Sequence, residues 1–458
     1  MSDRRHGPRT DERKVDMERR ARHLSADEAA ALVHSGDWID YGTTVVQPDA
    51  FDAALGRRLA AEPELGDLRF RSCITMRPRA VLEADPTGER VTWFSWHFSG
   101  YDRKMHDAGV AHYQPSSIGE IPDCYRRFLP APDVVVLKCR SMDADGWFNM
   151  SAANLWHRAI VESARTVVVE VNDQLPLCHG VDNAIHVSEV DVVIDGDGQP
   201  TPELPSAPVT DVDQAVGRLI AAEIDEGSCL QIGIGAMPNA VCSSLLASGV
   251  RHLGVHSEML MDGLVDLYLS GQIDNSRKQL APGVTTYSFA LGSERTYRTI
   301  HDNTDFSCCP IEYTNLPHTV MQNERAVSIN NTTQIDLQGQ AASESDGHRH
   351  ISGTGGQLQF VRGAYASPGG KSFICLSSTF DKRGERRSRI VLDLTTGNVV
   401  TTPRTDIMYV VTEYGLVNLK GRSLADRARA LISIAHPDFR DDLERQARDA
   451  RVIPRSYR

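Results

Sequence analysis

Short runs of β-branched and aliphatic residues alternate along the chain with stretches whose apolar positions repeat at helical spacing. Ser25 followed by Glu28 has the form of a capping box and predicts a helix through Leu32 and Val33. Residues 38–42 predict a strand, residues 48–59 a helix entered at Pro48, and residues 68–74 a second strand. The same rhythm returns in the β-branched runs at 133–138 and 166–171, which are separated by a helix-like stretch near 155–163. Apolar strands spaced by helices predict a largely parallel sheet covered on both faces. Residues 92–131 carry Trp93, Trp96 and three histidines without clear periodicity. They read either as loops over a site or as a loosely patterned layer.

A Gly/Pro-rich stretch at 195–205 is the natural domain boundary. Beyond it the alternation starts again. A helix is expected over 212–226, closed by Gly227, then a strand at 230–235 that enters a glycine turn, then a helix from Pro238. Residues 251–256 read as a short buried strand, and 259–267 as a helix, with Glu258 between them. Later strands are expected at 327–329, 371–376, 388–391 and 407–411, and the last helices at 424–431 and 441–450. Residues 1–23 are polar and heavily charged and predict a disordered or loosely helical tail. Its acidic residues Asp3, Asp11, Glu12, Asp16 and Glu18 speak against a mitochondrial presequence. The expected fold class is α/β, with one domain over 24–205 and another over 206–458.

Composition narrows the function classes. The chain has 458 residues, too many for one ordinary core. A net charge of −12 does not suggest a nucleic-acid-binding surface. Nine cysteines without a CxxC pair fit free thiols in a reducing, cytoplasmic setting better than a disulfide framework. No apolar run approaches the ~18 residues of a membrane span.

The candidate chemistry centres on Glu258. A carboxylate at the end of a strand in an α/β sheet stands where such folds bind ligands; the plainer alternative is a helix cap or an ion pair. Two glycine turns add context. Gly233–Ile234–Gly235 leads from a strand into a helix, and its backbone N–H groups can hold a phosphate or an oxyanion. The rival reading is a dinucleotide fingerprint. Glu258 meets its demand for a distant acid, but Pro238 stands where a third small residue belongs. Residues 352–356 hold three glycines in four positions, which permits close backbone approach to a ligand. Gly369–Gly370–Lys371–Ser372 has the end of a P-loop, but Tyr365 occupies the required glycine. His348 and His350 lack further ligands at metal spacing. No G-x-S-x-G elbow occurs.

Taken together, LQIGIGAMPNAV (230–241), LGVHSEMLMDGLVDL (253–267), DLQGQAASES (336–345), SGTGGQLQFVRGA (352–364), GGKSFICLSST (369–379), VVTEYGLVNLKGRS (410–423) and ALISIAHPDFR (430–440) resemble the acetyl-CoA hydrolase/transferase family of class I CoA-transferases. The look is that of its 4-hydroxybutyrate and butyryl-CoA:acetate branch. SGDWIDYG (35–42) and MDADGWFNMS (142–151) extend the resemblance more softly into the first half. It departs at Gln359, where the family commonly has Asp, and near Met150, where a glycine is more usual.

The resemblance implies two Rossmann-like open α/β domains with the active site between them, and Glu258 as the catalytic glutamate. It places oxyanion or CoA-binding donors at Ile234 and Gly235 and at Gly355 or Gly356. It implies acyl-CoA and short-chain carboxylates as partners, a homodimer or higher homo-oligomer, and no metal or redox cofactor, since coenzyme A is a substrate. His97, Tyr101, His112 and Tyr113 are candidates to line the acyl pocket. A hydrolase using the same glutamate with water, and a non-catalytic dinucleotide- or acyl-CoA-binding protein, are the competing readings.

Overall fold

The computed structural model describes residues 21–204, 208–454 and 456. Among them are two eight-stranded sheets, the first built from residues before 196 and the second from residues after 228. The expected tail lies outside the described residues as far as residue 20. Arg22–His23 pair in parallel with Val192 and Val193 at the edge of the first sheet.

The two sheets are wound alike. In the first, the chain enters mid-sheet at Trp38–Thr43 and adds Leu68–Cys73, Val91–Ser95 and Ala111–Tyr113 to one side. It then returns to add Val134–Cys139, Thr166–Val171 and Val192–Asp195 to the other, all parallel. In the second, it enters at Cys229–Ile232 and adds Gly254–Leu260, Thr285–Ala290 and Phe306–Cys308 to one side. Ala326–Asn331, Lys371–Cys375 and Tyr409–Thr412 follow on the other. Only the edge strand Gly415–Asn418 of this sheet is antiparallel, joined to its neighbour as a hairpin. This is the doubly wound order, and its ligand crevice opens where the winding reverses, at the carboxyl ends of the strands.

The central strands are buried on both faces, which explains their nearly continuous apolar sequences. Val134–Cys139 is buried throughout, as parallel strands covered by helices on both sides require. Three sequence expectations are corrected. Residues 92–131 are regular: strands Val91–Ser95 and Ala111–Tyr113 alternate with helices Gly100–Asp107 and Ile121–Arg127. Their strands are short and sit near an edge, so the period of two never runs long enough to register. The strand before the central glutamate begins at Gly254, and it runs on through Leu260 before helix Asp262–Leu269 starts. Met259 and Leu260 pair with Phe289 and Ala290; a short apolar run buried on both faces has no period that separates strand from helix. The first helix keeps its Ser25–Glu28 capping box but ends at Ala30.

The halves meet through backbone as well as side chains. Asn154 N–H donates to Ser288 O at 2.7 Å, and Ala290 N–H to Ala152 O at 2.8 Å. The linker is held on both sides: Asn172 Nδ2 donates to Gln199 O at 2.8 Å and Tyr297 OH to Pro202 O at 2.7 Å. No helix among the described residues is long and apolar enough to cross a membrane, and all nine cysteines are free thiols.

Candidate active site

Glu258 is the fifth of the seven residues in strand Gly254–Leu260. Parallel register sets its surroundings. Leu230 pairs with Val255, so the same offset brings Gly233 level with Glu258 on the neighbouring strand. On the other side Ser257 pairs with Tyr287 and Met259 with Phe289, which leaves Ser288 level with it. The glycine turn that follows Cys229–Ile232 therefore opens beside the glutamate. It lies where the second sheet reverses its winding.

In that turn Gly235 has φ +118 and caps helix Ala236–Ser248 without any side-chain hydrogen bond. Pro238 falls in the first helical turn, where a missing N–H costs nothing. Ile234 is 47% exposed, and its carbonyl accepts from Asn331 Nδ2 at 3.3 Å across the reversal. A helix start with no side-chain cap leaves backbone donors for a ligand oxygen.

One oxygen of the carboxylate has a side-chain donor. Asn315 Nδ2 donates to Glu258 Oε2 at 2.6 Å, and the Gly356 backbone N–H faces the carboxylate closely enough to lower its pKa. Asn315 ends the short helix Ile311–Asn315. Its Oδ1 accepts from Thr314 Oγ1 at 2.8 Å, and Thr314 Oγ1 lies 2.6 Å from Ser288 Oγ. The amide is thus turned with its donor toward the glutamate. Asn315 was not among the sequence candidates. It stands 57 residues from Glu258, and no motif spacing connects a lone asparagine to a carboxylate that far away.

Gly355 and Gly356 arrive from the loop before helix Gln357–Ala366. Gly355 has φ +55, a conformation that favours glycine. Gly356 has ordinary φ but no room: a β-carbon there would overlap both Asn315 Nδ2 and Glu258 Oε2. Of the four acyl-pocket candidates, two border this loop. His97 packs against Gly353 and Gly355, and Tyr113 OH is bonded to Glu344 and Thr354. The other two have different surroundings. Tyr101 OH accepts from Arg79 N–H at 3.2 Å and packs on the first-half core, while His112 is exposed against the Phe94 ring. Gln359 lies buried against the first half, accepting the Gly119 N–H at 3.1 Å. The His350 ring lies tilted against Tyr113, centroids 4.4 Å apart, and no cluster of three or more metal-ligating side chains forms among the described residues.

Burial pushes the Glu258 carboxyl from 4.5 up to about 7, and the Asn315 and Gly356 donors pull it part of the way back. The His97 imidazole, desolvated and near Arg103, is held down to about 4 and is neutral at pH 7. The Glu258 shift has a thermodynamic consequence. Unfolding releases the proton that the native carboxyl retains, so the protein loses stability as pH rises from 4.5 to 7. Glu258→Gln keeps the oxygen that Asn315 and Gly356 address but cannot ionise. We expect it to exceed the parent in stability by about 3 kcal/mol above pH 7 and by under about 1 kcal/mol at pH 5. Denaturant titrations at the two pH values check this; an equal difference at both would contradict it.

A basic hairpin also escaped the sequence reading. Strands Thr379–Lys382 and Glu385–Ser388 follow Lys371–Cys375 at the carboxyl edge of the second sheet. They and their flanks carry Lys382, Arg383, Arg386, Arg387 and Arg389 on a chain of net charge −12. Lys382 meets Asp346 at 3.2 Å and Arg387 meets Glu385 at 2.7 Å. The hairpin is rooted three strands from Glu258 in the sheet order, a lateral distance of about 14 Å at ordinary strand spacing.

Comparison with known proteins bears on this site. Residues 8–205 match the model of the acetyl-CoA hydrolase/transferase N-terminal domain, and residues 292–447 that of its C-terminal domain. The chain is 43% identical to butyryl-CoA:acetate CoA-transferase of Anaerostipes caccae, over 94% of this chain and 97% of that protein. It is 40% identical to 4-hydroxybutyrate coenzyme A transferase of Clostridium kluyveri, over 75% and 79%. The crystal structure of 4-hydroxybutyrate CoA-transferase from Porphyromonas gingivalis superposes with a TM-score of 0.76 at 31% identity, covering 94% of this chain and 98% of that one.

Proposed function

The chain belongs to the acetyl-CoA hydrolase/transferase family, and from that premise we propose that it carries coenzyme A from a short-chain acyl-CoA to a free carboxylate such as acetate, through a thioester on Glu258. It is a CoA-transferase, like the relatives it matches over nearly its full length. The observation that carries the covalent route is the asymmetry of the glutamate. Oε2 accepts from Asn315 Nδ2 and lies against Gly356, and Oε1 is the oxygen assigned to the attack.

The chemistry follows from that asymmetry. Oε1 attacks the thioester carbonyl, the C–S bond breaks, and an acyl-glutamyl anhydride and CoA thiolate result. The thiolate then attacks the glutamyl carbon. The negative charge that develops there falls on Oε2, the oxygen that Asn315 already addresses and Gly356 lies against, where preformed donors are worth most. The C–O bond breaks, the first carboxylate leaves, and CoA remains as a glutamyl thioester. An incoming carboxylate runs both steps backwards, which gives ping-pong kinetics. The oxyanion on the acyl carbonyl is a different atom, and the turn at Ile234 and Gly235 supplies its donors. The basic hairpin around Lys382 and Arg386 has the charge to meet the phosphates of CoA. The homo-oligomer and the cytoplasmic setting expected from the sequence belong to the same proposal.

An assay of butyryl-CoA with and without acetate tests the reading. Acetyl-CoA should appear only with acetate present. Release of free CoA at the same rate in both arms would mean that water, not a carboxylate, finishes the reaction.

A further inference from the structure

The glycine loop that reaches Glu258 is fastened by a buried carboxylate that the mechanism above does not use. Glu344 is 3% exposed. Its Oε2 accepts from Tyr113 OH at 2.8 Å and Thr354 Oγ1 at 3.0 Å, and its Oε1 accepts from Thr401 Oγ1 at 2.9 Å. No lysine or arginine pairs with it among the described residues. The proton count is one-directional. All three hydroxyls donate inward to the carboxylate. Tyr113 oxygen is then left as an acceptor, and it takes the Thr354 N–H at 3.0 Å. Thr354 is held twice, through its side chain and through its backbone, immediately before Gly355 and Gly356.

The loop has further ties to both halves. The Glu344 carbonyl accepts the Ile351 N–H at 2.9 Å. From the first half, Arg103 donates to Ile351 O at 2.8 Å and Ile118 N–H to Gly355 O at 3.2 Å. Gly353 packs so closely on Trp96 O and His97 that a β-carbon would stand 2.5 Å from the former. Tyr113 comes from the first sheet and Glu344 and Thr401 from the second half, so the Tyr113–Glu344 bond joins the two halves.

We infer that Glu344, acting with Tyr113 and Thr354, is a positioning residue: it locks the loop so that the Gly356 N–H stays aimed at the glutamyl oxygen. This assigns Tyr113 to the support of the oxyanion donor rather than to the acyl pocket, and it rests on the CoA-transferase reading above. Glu344→Gln preserves size but replaces one acceptor atom with an NH₂ facing a hydroxyl that donates to Glu344 in the parent. At least one hydroxyl loses the acceptor it has in the parent, and the loop should loosen.

The test pairs a structural readout with a kinetic one. In Glu344→Gln and in Tyr113→Phe, amide exchange in 352–356 should quicken at least about tenfold, with exchange in the sheet cores unchanged. kcat should fall by about 10²-fold in Glu344→Gln, as for loss of one oxyanion donor, and less in Tyr113→Phe, with KM for the carboxylate near that of the parent. Thr354→Ser, which keeps the hydroxyl, should retain parental kcat. Unchanged exchange in 352–356 would overturn the clamp. Faster exchange with unchanged kcat would show the clamp to be structural only and would overturn the positioning role. A parent without transferase activity would refute the proposed function, and the exchange measurements would still decide the clamp.

Discussion

Glu258→Gln should abolish transfer and covalent capture together while leaving the fold intact. Incubated with acyl-CoA and no acceptor, the parent should retain CoA on the peptide containing His256, Ser257, Glu258 and Met259. Borohydride should reduce that thioester to an alcohol that mass spectrometry can place. The amide keeps an oxygen for the Asn315 and Gly356 donors but offers no anionic nucleophile, so neither anhydride nor thioester can form. Acyl-CoA binding, which draws on the rest of the cleft, should largely survive. Glu258→Asp keeps the charge and retracts it by one methylene, and a misplacement of about 1 Å can cost ~10²-fold. Full transferase activity in the Gln variant, measured before deamidation can restore the acid, would refute the covalent route. In the parent, kcat/KM should rise with pH up to about 7, where the buried carboxyl becomes ionised.

Gly356→Ala should cost about 10²–10³ in kcat for a different reason. Its φ is one that alanine adopts freely, so backbone strain is not at issue. Space is: the new methyl would overlap Glu258 Oε2 and Asn315 Nδ2. Either the loop retreats and takes its N–H away from the glutamyl oxygen, or Asn315 is displaced and the other donor is lost. Both outcomes remove stabilisation from the step in which thiolate attacks the glutamyl carbon. The burst of free CoA that accompanies anhydride formation should therefore persist, while the thioester fails to accumulate. Rapid-quench measurement of CoA and of glutamyl thioester separates the two steps. Normal thioester formation in a folded Gly356→Ala protein would show that this N–H does not serve the step assigned to it.

Much of the architecture could be read before any coordinates. Strands 134–139 and 166–171 declare themselves through β-branched runs, because a parallel strand buried on both faces must be apolar at nearly every position. Capping boxes and glycine turns are local as well, since a hydrogen bond three residues long or a positive φ leaves its mark within one turn of chain. That is why Ser25 with Glu28, and Gly235 before its helix, stand out in the sequence. The resemblance of their segments to a known family brought Glu258 and its two glycine-rich turns forward as one group.

Only the tertiary structure decided what touches what. Asn315 reaches Glu258 from 57 residues away, and Tyr113 reaches Glu344 from 231 residues away. Neither pairing has a sequence period, because each arises where separately formed elements are packed together. Tyr101 and His112 looked as suitable for the site as His97 and Tyr113. Helix Gly100–Asp107 turns Tyr101 toward the first core, and the pleat of the edge strand Ala111–Tyr113 sends His112 to solvent. A one-residue step along a strand reverses the face, so Tyr113 and its neighbour part company at the cleft. The protonation of Glu258 belongs to the same level: the glutamate is written in the chain, but its rise to about 7 comes from the protein that folds around it.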